Sequence, residues 1–310
     1  MVDITFKYVG NGDSIIIEYL VNDSKKIGVI DVCTNAGNNA VLSHIKKEQY
    51  SKIEFLIISH FHHDHCSGLK ALLKYCEDNK IEIGFFGFPI LLDKRIIRSL
   101  KIGKQKKHDV GSAFKYAYDL YKADLIHEMK DVGLGHEGIN LNNKYTLKFI
   151  SPAIDELNRY TAKVFDKGLK LKDSPNHNIV AISTVIESDS EYVLLTSDIE
   201  FNSLKRIGRR ILKNYSKKLI LAQVPHHGSR DNHYKEFWNL RNRDIDTPIV
   251  ISCGPNGYDH PAPEVIIDLE KLDYKVEATS NPVGSSLRDI DVFAMKDNSN
   301  IDTRDLKYQI

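Results

Sequence analysis

The feature that most constrains this chain is a histidine cluster directly behind an apolar run. Residues 52–59 read KIEFLIIS, a β-branched segment typical of a buried strand. Residues 60–65 read HFHHDH, which places four histidines and one aspartate in six positions. Residues 68–79, GLKALLKYCEDN, have the apolar spacing of a helix. Because histidine and aspartate are poor core residues, the cluster indicates a functional site between a strand and a helix.

The spacing inside the cluster favours metal binding. In an extended chain His60, His62 and Asp64 project to one side, and His65 begins the turn into the helix. His63 points the other way and is not expected to be a ligand. Neutral imidazoles bind Zn²⁺ and similar cations, and a carboxylate beside a histidine suits a second cation. A solvated histidine loop is the alternative, but the HxHxDH pattern is far more specific than a lone histidine.

Two metals need further ligands, and the chain offers candidates next to strand-like runs. His177 precedes NIVAISTVI, Asp198 closes EYVLLTSD, and the pair His226 and His227 follows KLILAQV. His260 lies in the loop GYDHP. Taken singly, each is equally well explained as a turn aspartate or a surface histidine. Together with the cluster they indicate a site built from distant segments.

Two other residues near these segments have competing explanations. Asp31 ends the strand-like run KIGVIDV and is a candidate carboxylate for supporting the ligands, with a structural turn as the alternative. Cys66 follows His65 and is expected to pack rather than react. The chain has four cysteines and no CxxC pair, so neither a disulfide framework nor a thiolate zinc site is predicted.

Length and composition bound the fold and the location of the chain. At 310 residues and 42% hydrophobic, the chain can bury a substantial core. It contains no apolar run of the roughly 18 to 20 residues that a membrane span needs and no evident signal peptide, so we expect a cytoplasmic protein without a membrane partner. The net charge of +1 creates no global field that would attract nucleic acid. Nothing in the sequence indicates an oligomeric state.

Strand-like and helical runs alternate in both halves, which predicts an α/β protein with two sheets face to face and helices outside. Helices are expected near 39–48 and 112–132, and a terminal strand pair at YKVEAT and VGSSLRD. Residues 101–108, KIGKQKKH, are expected to form a cationic loop. Without a linker of low complexity, residues 1–296 are predicted to form one domain and residues 297–310 a polar tail.

Five motifs, in this order, resemble the metallo-β-lactamase superfamily, and within it the soluble domain of the ComEC family of DNA-uptake proteins. They are YVGNGDSIII, HFHHDH with the following CSG, PNHNIVAIS before LLTSDIE, VPHHGSRDN, and ISCGPNGYDHPAPEVI. The resemblance extends from Asp3 to about Arg288. It implies a four-layer αββα sandwich with the metal site at one edge of the sheets.

The resemblance also implies a set of ligands. One metal would be held by His60, His62 and His177, and the other by Asp64, His65 and a late histidine, with Asp198 bridging the two. By analogy with phosphodiesterase members, His260 is that late ligand, and His226 and His227 are catalytic. In the glyoxalase-like branch the earlier histidine is itself the ligand, which would place one of the pair on the metal.

Two positions depart from the family pattern. The superfamily often has glycine before the bridging aspartate, but this chain has Ser197, which we expect to be tolerated if its φ is below zero. ComEC-like sequences commonly have a carboxylate where His177 stands, and histidine is the residue found in the hydrolases. The second departure favours a site with both metals.

The function that follows from the resemblance is a dinuclear metal-dependent hydrolase. Two divalent ions are expected, with Zn²⁺ the first choice and Mn²⁺ the alternative. A water that bridges them would attack as hydroxide, oriented by Asp64, while His226 or His227 protonates the leaving oxygen. A phosphodiester is the expected substrate, and a nuclease is one form of that activity. The alternatives are hydrolysis of a lactone, thioester or amide, which the apolar run GFFGFPILL would suit, and a binding module without catalysis.

A nucleic-acid substrate would need a local basic surface. The segment LKRIGRRILKNY places its basic residues on one helical face, opposite its apolar residues. Such a face could follow phosphates, although solvated charge on a surface helix is the more usual explanation in a chain whose charge is otherwise balanced. The basic residues of this face are Lys205, Arg206, Arg209, Arg210 and Lys213.

Overall fold

A computed structural model of the chain describes residues 1–166, 170, 173–282 and 301–310. The strands of the first half are β1 (Val2–Phe6), β2 (Ile15–Val21), β3 (Ser24–Ile30), β4 (Thr34–Asn35), β5 (Asn38–Asn39), β6 (Lys52–Ile57), β7 (Glu82–Phe88) and β8 (Ile126–Asp131). Those of the second half are β9 (Ile139–Asn140), β10 (Thr146–Ser151), β11 (Ser183–Glu187), β12 (Glu191–Leu195), β13 (Lys218–Gln223), β14 (Thr247–Ile251), β15 (Tyr274–Ala278), β16 (Ser280–Pro282), β17 (Ile301–Thr303) and β18 (Leu306–Gln309).

The helices lie between the strands in both halves. They are α1 (Ala40–Glu48), α2 (His63–Cys66), α3 (Leu69–Asp78), α4 (Lys94–Ser99), α5 (Lys104–Lys122), α6 (Ile154–Val164), α7 (Phe201–Arg206), α8 (Lys235–Asn239) and α9 (Pro263–Glu270). Among the described residues, no helix has both the length and the apolarity that crossing a bilayer requires.

Two sheets of seven strands form the centre of the molecule. The first has the order β18-β1-β2-β3-β6-β7-β8, and the second has the order β15-β14-β13-β12-β11-β10-β9. Strands β3, β6, β7 and β8 run parallel to one another, as do β12, β13, β14 and β15. The carboxyl ends of these parallel strands therefore lie along one edge of each sheet.

Three buried apolar clusters correspond to the three interfaces between four layers. One joins the outer face of the first sheet to α1, α3 and α5. A second joins the outer face of the second sheet to α7, α8 and α9. The third lies between the sheets, where Ile15 and Ile17 of β2 point inward while Ile16 points to the helices. The α/β class and the αββα sandwich predicted from the sequence are confirmed.

Two predicted segments differ from the structure. The helix predicted over 112–132 begins earlier, at Lys104, and ends at Lys122, and Ile126–Asp131 is a strand paired with β7. The cationic segment 101–108, predicted as a loop, contributes its second half to the first turn of α5.

The end of the chain also differs from the predicted polar tail. Leu306–Gln309 pairs antiparallel with β1, and the backbones of Val2 and Ile310 exchange hydrogen bonds. Leu306 is 7% exposed and packs between the sheets, so the segment forms an edge strand. The predicted strand at VGSSLRD and the boundary at 296 lie outside the described residues, and a single domain over 1–296 stays a prediction.

Candidate metal centre

The site begins where four parallel strands end. Asp31 follows β3, the histidine cluster follows β6, Asp198 follows β12, and His226 and His227 follow β13. One backbone bond joins the two sheets, from Ile182 N to Ser59 O at 2.9 Å. Another joins the ends of β12 and β13 within the second sheet, from His226 N to Ser197 O at 3.0 Å. Segments from both halves of the chain therefore meet at one place.

The cluster itself is part strand-like and part helical. His60 and His62 are in extended chain, and their Nε2 and Nδ1 atoms are 3.0 Å apart. The chain turns into α2 at His63, earlier than the predicted turn at His65. Asp64 and His65 consequently lie on the first turn of a helix, and their side chains point to a different position from the first two histidines.

One group of possible ligands contains His60, His62 and Asp198, whose ligand atoms all lie within 4.8 Å of one another. His60 is fully buried, and its Nε2 is 3.8 Å from Asp198 Oδ2. Its Nδ1 is 3.1 Å from the Ser59 hydroxyl, which gives its own hydrogen to Asp31. His60 Nδ1 therefore donates, which leaves the lone pair on Nε2 to face the other members of the group.

A second group contains Asp64, His65, Asp198 and His227 within the same 4.8 Å. The Nε2 atoms of both histidines approach Asp198, at 3.4 Å for His65 and 3.6 Å for His227. Asp64 Oδ2 is 3.9 Å from His65 Nε2 and 3.7 Å from His227 Nε2. Because Asp198 belongs to both groups, it occupies a position between them that would allow it to bridge two cations.

The donor atoms of the second group are those that a divalent cation would require. His65 Nδ1 is 2.7 Å from Asp31 Oδ2, and His227 Nδ1 is 2.8 Å from Ser252 O, so each Nδ1 donates and each Nε2 has a free lone pair. Within the described residues, both Nε2 atoms and Asp198 Oδ1 are buried without a hydrogen-bond partner. Unpartnered buried polar atoms are costly, and a bound cation would satisfy all three.

Charge complementarity ties the two histidines of this group to its carboxylates. Burial acts to lower the pKa of His227, but the negative charges of Asp198 and of Asp64, at 3.6 and 3.7 Å, outweigh it and raise the pKa to about 9. Burial likewise opposes ionisation of His65, yet Asp198 and Asp31 raise its pKa well above the ordinary value. In the first group burial dominates, and it lowers the pKa of His60 well below the ordinary value.

His177 lies beside the first group but not within it. Its ring centroid is 5.8 Å from that of His62, and both of its nitrogens have partners. Ser99 Oγ donates to Ile96 O, so it can only accept from His177 Nε2 at 3.3 Å, and Nδ1 then accepts from Tyr160 Oη at 2.7 Å. The predicted role of His177 as a ligand would require Nε2 to exchange Ser99 for the metal.

The late histidine differs from the first choice made from the sequence. His227, rather than His260, lies in the second group, as in the glyoxalase-like alternative. The ring of His260 instead packs 5.3 Å from that of His226 and nearly parallel to Tyr258 at 6.3 Å. The loop that contains His260 thus brings it to the rim of the site, outside both groups of the described residues.

His226 faces a different direction from its neighbour. Its Nδ1 is 2.9 Å from Asn232 Oδ1, and Asn232 is oriented by its own bond from Nδ2 to Ile199 O at 2.8 Å. Nδ1 therefore carries the hydrogen, although Asn178 Nδ2 also approaches it at 3.4 Å. His226 Nε2 is 3.6 Å from Asp198 Oδ2, and the side chain remains 27% exposed. His226 is placed to contact a molecule bound above the metal groups.

The backbone at the site is unusual for residues with side chains. His226 and His227 have φ of 49° and 54°, and Gly228 continues in the left-handed region at 83°. Ser197 has φ of 49°, so the condition of a negative φ, under which serine was expected to be tolerated here, is not met. Bonds to its neighbours hold Ser197 there: its N–H donates to Gln223 Oε1 at 2.9 Å and its hydroxyl to Ser59 Oγ at 2.8 Å. Such strain persists only where surrounding contacts impose it.

A supporting residue that the sequence analysis missed is Asp13. It is 1% exposed, its Oδ2 accepts from Gln223 Nε2 at 2.9 Å, and the same oxygen is 3.9 Å from His65 Nδ1. Asp13, Asp31 and His65 form a third group of neighbouring ligand atoms. The available signal was the GNGD sequence before β2, which reads as an ordinary turn until the fold brings it beside α2.

The two groups of possible ligands open into a cleft of about 600 Å³. Its charged residues, apart from the histidines, are Asp64, Asp198, Lys101 and Lys106. The apolar run 84–92 is absent from its described lining, because residues 84–88 lie in the mostly buried strand β7. The structure therefore gives no support to the apolar substrate suggested by that run.

The predicted basic face of residues 205–213 does not form as a single surface. Arg206 is 10% exposed in its side chain and pairs with Glu156 at 2.9 Å, so it is not free to bind phosphate. Lys205 lies over the rings of Phe201 and Tyr234. Residues 207–211 widen into a π-helix, which breaks the spacing of the face. Arg209, Arg210 and Lys213 are exposed, and among the described residues none of the five lines the cleft.

Comparison with known proteins gives a family and distant structural neighbours. The sequence model of the Metallo-beta-lactamase superfamily matches residues 9–253. No curated protein matches the chain significantly.

Three solved structures illustrate how low the sequence identity to those neighbours is. The metallo-beta-lactamase fold protein YhfI from Bacillus subtilis is 11% identical, with 89% of this chain and 95% of that chain covered and a TM-score of 0.47. Zn²⁺-bound PqqB from Methylobacterium extorquens is 10% identical, with coverage of 90% and 98% and a TM-score of 0.49. A diphosphatase from the PhnP family is 14% identical, with coverage of 100% and 98% and a TM-score of 0.46.

Proposed function

The chain belongs to the metallo-β-lactamase superfamily, and on that premise we propose that it is a dinuclear metal-dependent hydrolase of phosphodiesters. Members of the superfamily are mostly metal-dependent hydrolases. The observation that carries the proposal is the pair of ligand groups that share Asp198 and open into a cleft with two lysines in its wall. An anionic substrate suits that cleft better than an apolar one.

The proposal assigns the metals to the residues whose free atoms converge. His60, His62 and Asp198 would hold one divalent ion, and Asp64, His65, His227 and Asp198 the other. Ions bound there supply Lewis acidity, which makes water a better nucleophile at neutral pH and offsets the negative charge on phosphoryl oxygens. The sequence favours Zn²⁺ because imidazole predominates among the donors, with Mn²⁺ as the alternative.

Residues at the floor of the cleft would orient the reacting groups. Asp64 is 37% exposed in its side chain, and its carboxylate reaches the cleft as well as His227. It can accept a hydrogen from a water molecule and so fix the direction of attack. His226 presents Nε2 to the same space, because Asn232 binds its Nδ1. In its protonated form Nε2–H can donate to the oxygen that leaves the phosphorus.

Other activities have less support from the structure. Hydrolysis of a lactone, thioester or amide is another use of the same fold, but a neutral substrate of that kind would leave Lys101 and Lys106 in the cleft wall without an anion to bind. A binding module without catalysis would not need two convergent ligand groups. The resemblance of the HHGS segment to ComEC-like domains adds a nuclease to the proposal as one form of phosphodiesterase.

The test measures metal content and substrate range together. The purified chain is loaded with Zn²⁺ or Mn²⁺, its bound metal is counted by mass spectrometry, and it is assayed on bis(p-nitrophenyl) phosphate, single- and double-stranded DNA, RNA, a lactone and a thioester. We expect two metals per chain and cleavage of phosphodiesters. Asp64→Ala should lower kcat by at least about 100-fold, whereas Asp189→Ala, at an exposed turn, should not.

Two results would overturn the proposal in different ways. If the chain holds two metals and opens the lactone or thioester while leaving every phosphodiester intact, the substrate class is wrong. If it cannot be loaded with metal under any condition in which it is folded, it is not a metal-dependent enzyme.

A further inference from the structure

One wall of the cleft is cationic. Lys101, Ile102 and Lys106 line the same space as Asp64, Asp198 and His226. Lys101 and Lys106 are both exposed. The carboxylates in the described lining are Asp64 and Asp198, and both belong to the ligand groups. Once those carboxylates are neutralised by divalent ions, the lysines leave the wall positively charged.

Within the described residues these two lysines have no carboxylate partner, unlike Lys74 and Lys115 on the nearby helices. Lys74 pairs with Asp78 one turn along α3, and Lys115 pairs with Asp119 on α5. For Lys101 and Lys106 the described part of the chain offers no carboxylate within 4.0 Å of the ammonium group. Their charge is therefore available to an anion from outside the chain.

The start of α5 accentuates this charge. Its first turn contains Lys104, Lys106 and Lys107 and no acidic residue, and Gly103 provides no side-chain cap. Positive side chains at a helix N-terminus are unfavourable because the helix dipole is positive there. An anion bound at the cleft wall would relieve that repulsion.

An aromatic surface borders the same cleft. Tyr258 is 71% exposed, and its ring is stacked on His260 with an angle of 30° between the planes. Both residues line the cleft. An exposed aromatic ring is a platform on which a nucleobase can stack, whereas a base inside a duplex is not available for such contact.

We propose that Lys101 and Lys106 bind a phosphate other than the one that is cleaved, and that Tyr258 stacks on a base of the same strand. The substrate class is then a short single-stranded oligonucleotide with at least two phosphates. A cleft of about 600 Å³ is in the range of small-ligand sites and suits a few nucleotides rather than a duplex. This inference rests on the proposed phosphodiesterase activity.

The experiment compares three substrates that share one scissile bond. They are dithymidine monophosphate, the same dimer with a 5′ phosphate, and the same dimer with a 3′ phosphate, each assayed with the metal-loaded chain. We expect one phosphorylated dimer to have a kcat/KM about 10- to 100-fold higher than the plain dimer, which corresponds to one or two charge-assisted hydrogen bonds. The advantage should decrease as salt is added.

The lysines are tested with a matched pair of double variants. In Lys101→Gln/Lys106→Gln the preference for the phosphorylated dimer should disappear. In Lys115→Gln/Lys122→Gln, two exposed lysines of α5 outside the cleft and away from its first turn, it should persist. If the cleft variant slows all three substrates equally, or if the wild type has no preference, the second phosphate site is refuted while the phosphodiesterase activity stands.

The stacking contact of Tyr258 is tested separately from the lysines. Tyr258→Leu should lower kcat/KM about 10-fold for the dimers and leave a dimer without bases unaffected.

If no diester is cleaved at all, the proposed function fails, and the inference is decided by binding of a fluorescent 5′-phosphorylated pentathymidylate. Loss of at least about 10-fold in affinity in the cleft variant and not in the control variant supports the anion site, and equal affinities overturn it.

Discussion

Asp31 illustrates how much of the site depends on one side chain that touches no substrate. Its two oxygens accept from Ser59 N at 2.7 Å, from Ser59 Oγ at 2.6 Å and from His65 Nδ1 at 2.7 Å. All three partners are donors, so the site needs an acceptor at both oxygens. Burial raises the pKa of Asp31, an effect that the charge of His65 opposes. The carboxylate thereby fixes the tautomer of His65.

We predict that Asp31→Asn weakens metal binding. An amide would place an N–H against one of the three donors, which would tilt His65 or reverse its tautomer. Loss of such a supporting bond typically costs 10- to 100-fold in metal affinity, so competition with a zinc indicator should show a reduction of about that size. Asp246→Asn is the control, because Asp246 shares the left-handed backbone (φ 60°) but is exposed and remote in sequence from the ligands. Equal affinities in the two variants would contradict the prediction.

At the scale of single residues, the spacing within one short segment predicted ligand candidates better than the sequence positions of distant histidines did. The HxHxDH pattern identifies its ligand candidates because neighbouring residues have fixed relative directions. The choice between His227 and His260 depends instead on the left-handed turn at 226–228 and on the fold of the loop around 260. Neither feature has a local signature, so the sequence could narrow the late ligand only to alternatives.

At the scale of elements, a polar cluster fastens α1 to the first sheet. Glu18 of β2 is 5% exposed. Its Oε1 accepts from Tyr50 Oη and lies 3.0 Å from His44 Nε2 and 2.9 Å from Lys25 Nζ. Burial acts to raise the pKa of Glu18, but the bonds from His44, Lys25 and Tyr50 outweigh it and hold the pKa well below 4.5. The ionised form is therefore preferred in the folded state.

We predict that Glu18→Gln destabilises the protein in a pH-dependent way. Because the folded pKa is depressed, the contribution of the carboxylate is fully present above the ordinary value of 4.5 and is lost as pH falls below it. The variant should lose about 1 to 3 kcal/mol in free energy of unfolding at pH 7, and the difference should shrink between pH 4.5 and pH 3. Urea unfolding across that range is the measurement. Glu137→Gln, at an exposed loop position, should show neither effect.

The elements that the sequence mispredicted were decided by tertiary contacts. Residues 126–131, IHEMKD, contain good helix formers, yet they pair with β7 as its parallel neighbour. Residues 101–108 lack apolar periodicity, which hid the start of α5. By contrast, the strands with β-branched runs on both sides of the site were predictable because both of their faces are buried.

At the scale of the whole molecule, the candidate ligands join the two sheets. His60, His62, Asp64 and His65 follow strands of the first sheet, and Asp198 and His227 follow strands of the second. A cation in either group would therefore bind the two halves to each other, because Asp198 is in both groups. Metal affinity and the stability of the sandwich are linked properties.

We predict that chelation lowers Tm. A ligand at 100 times its Kd adds about 2.7 kcal/mol to the free energy of unfolding, which for a chain of 310 residues is a shift of about 4 °C. Differential scanning calorimetry with and without stoichiometric Zn²⁺ measures the shift. The Tm difference between the loaded and chelated forms should be much smaller in Asp198→Ala than in the wild type and should equal the wild-type difference in Asp189→Ala. Comparing the two forms of the same variant cancels any effect of the substitution on the fold. A fully loaded wild type with the same Tm as the chelated form would contradict the link.

The four layers were predictable from the alternation of strand-like and helical runs, but strand β18 was not. Residues 306–310, LKYQI, alternate between buried and exposed positions as a strand should. The segment is short and follows a polar stretch, so its pattern is easily read as a tail. Its partner β1 is almost the whole chain away, and only the assembled sheet indicates where it belongs.

That pairing has a consequence for how the protein is made. Asp3 of β1 lies opposite Gln309 of β18, so β1 is synthesised long before the strand that becomes its neighbour. Until residue 309 has been synthesised, one edge of β1 remains open to other chains. Closing so long a loop is also entropically slow. The first sheet is therefore completed only after β18 has been synthesised, and until then that edge of β1 can pair with another chain.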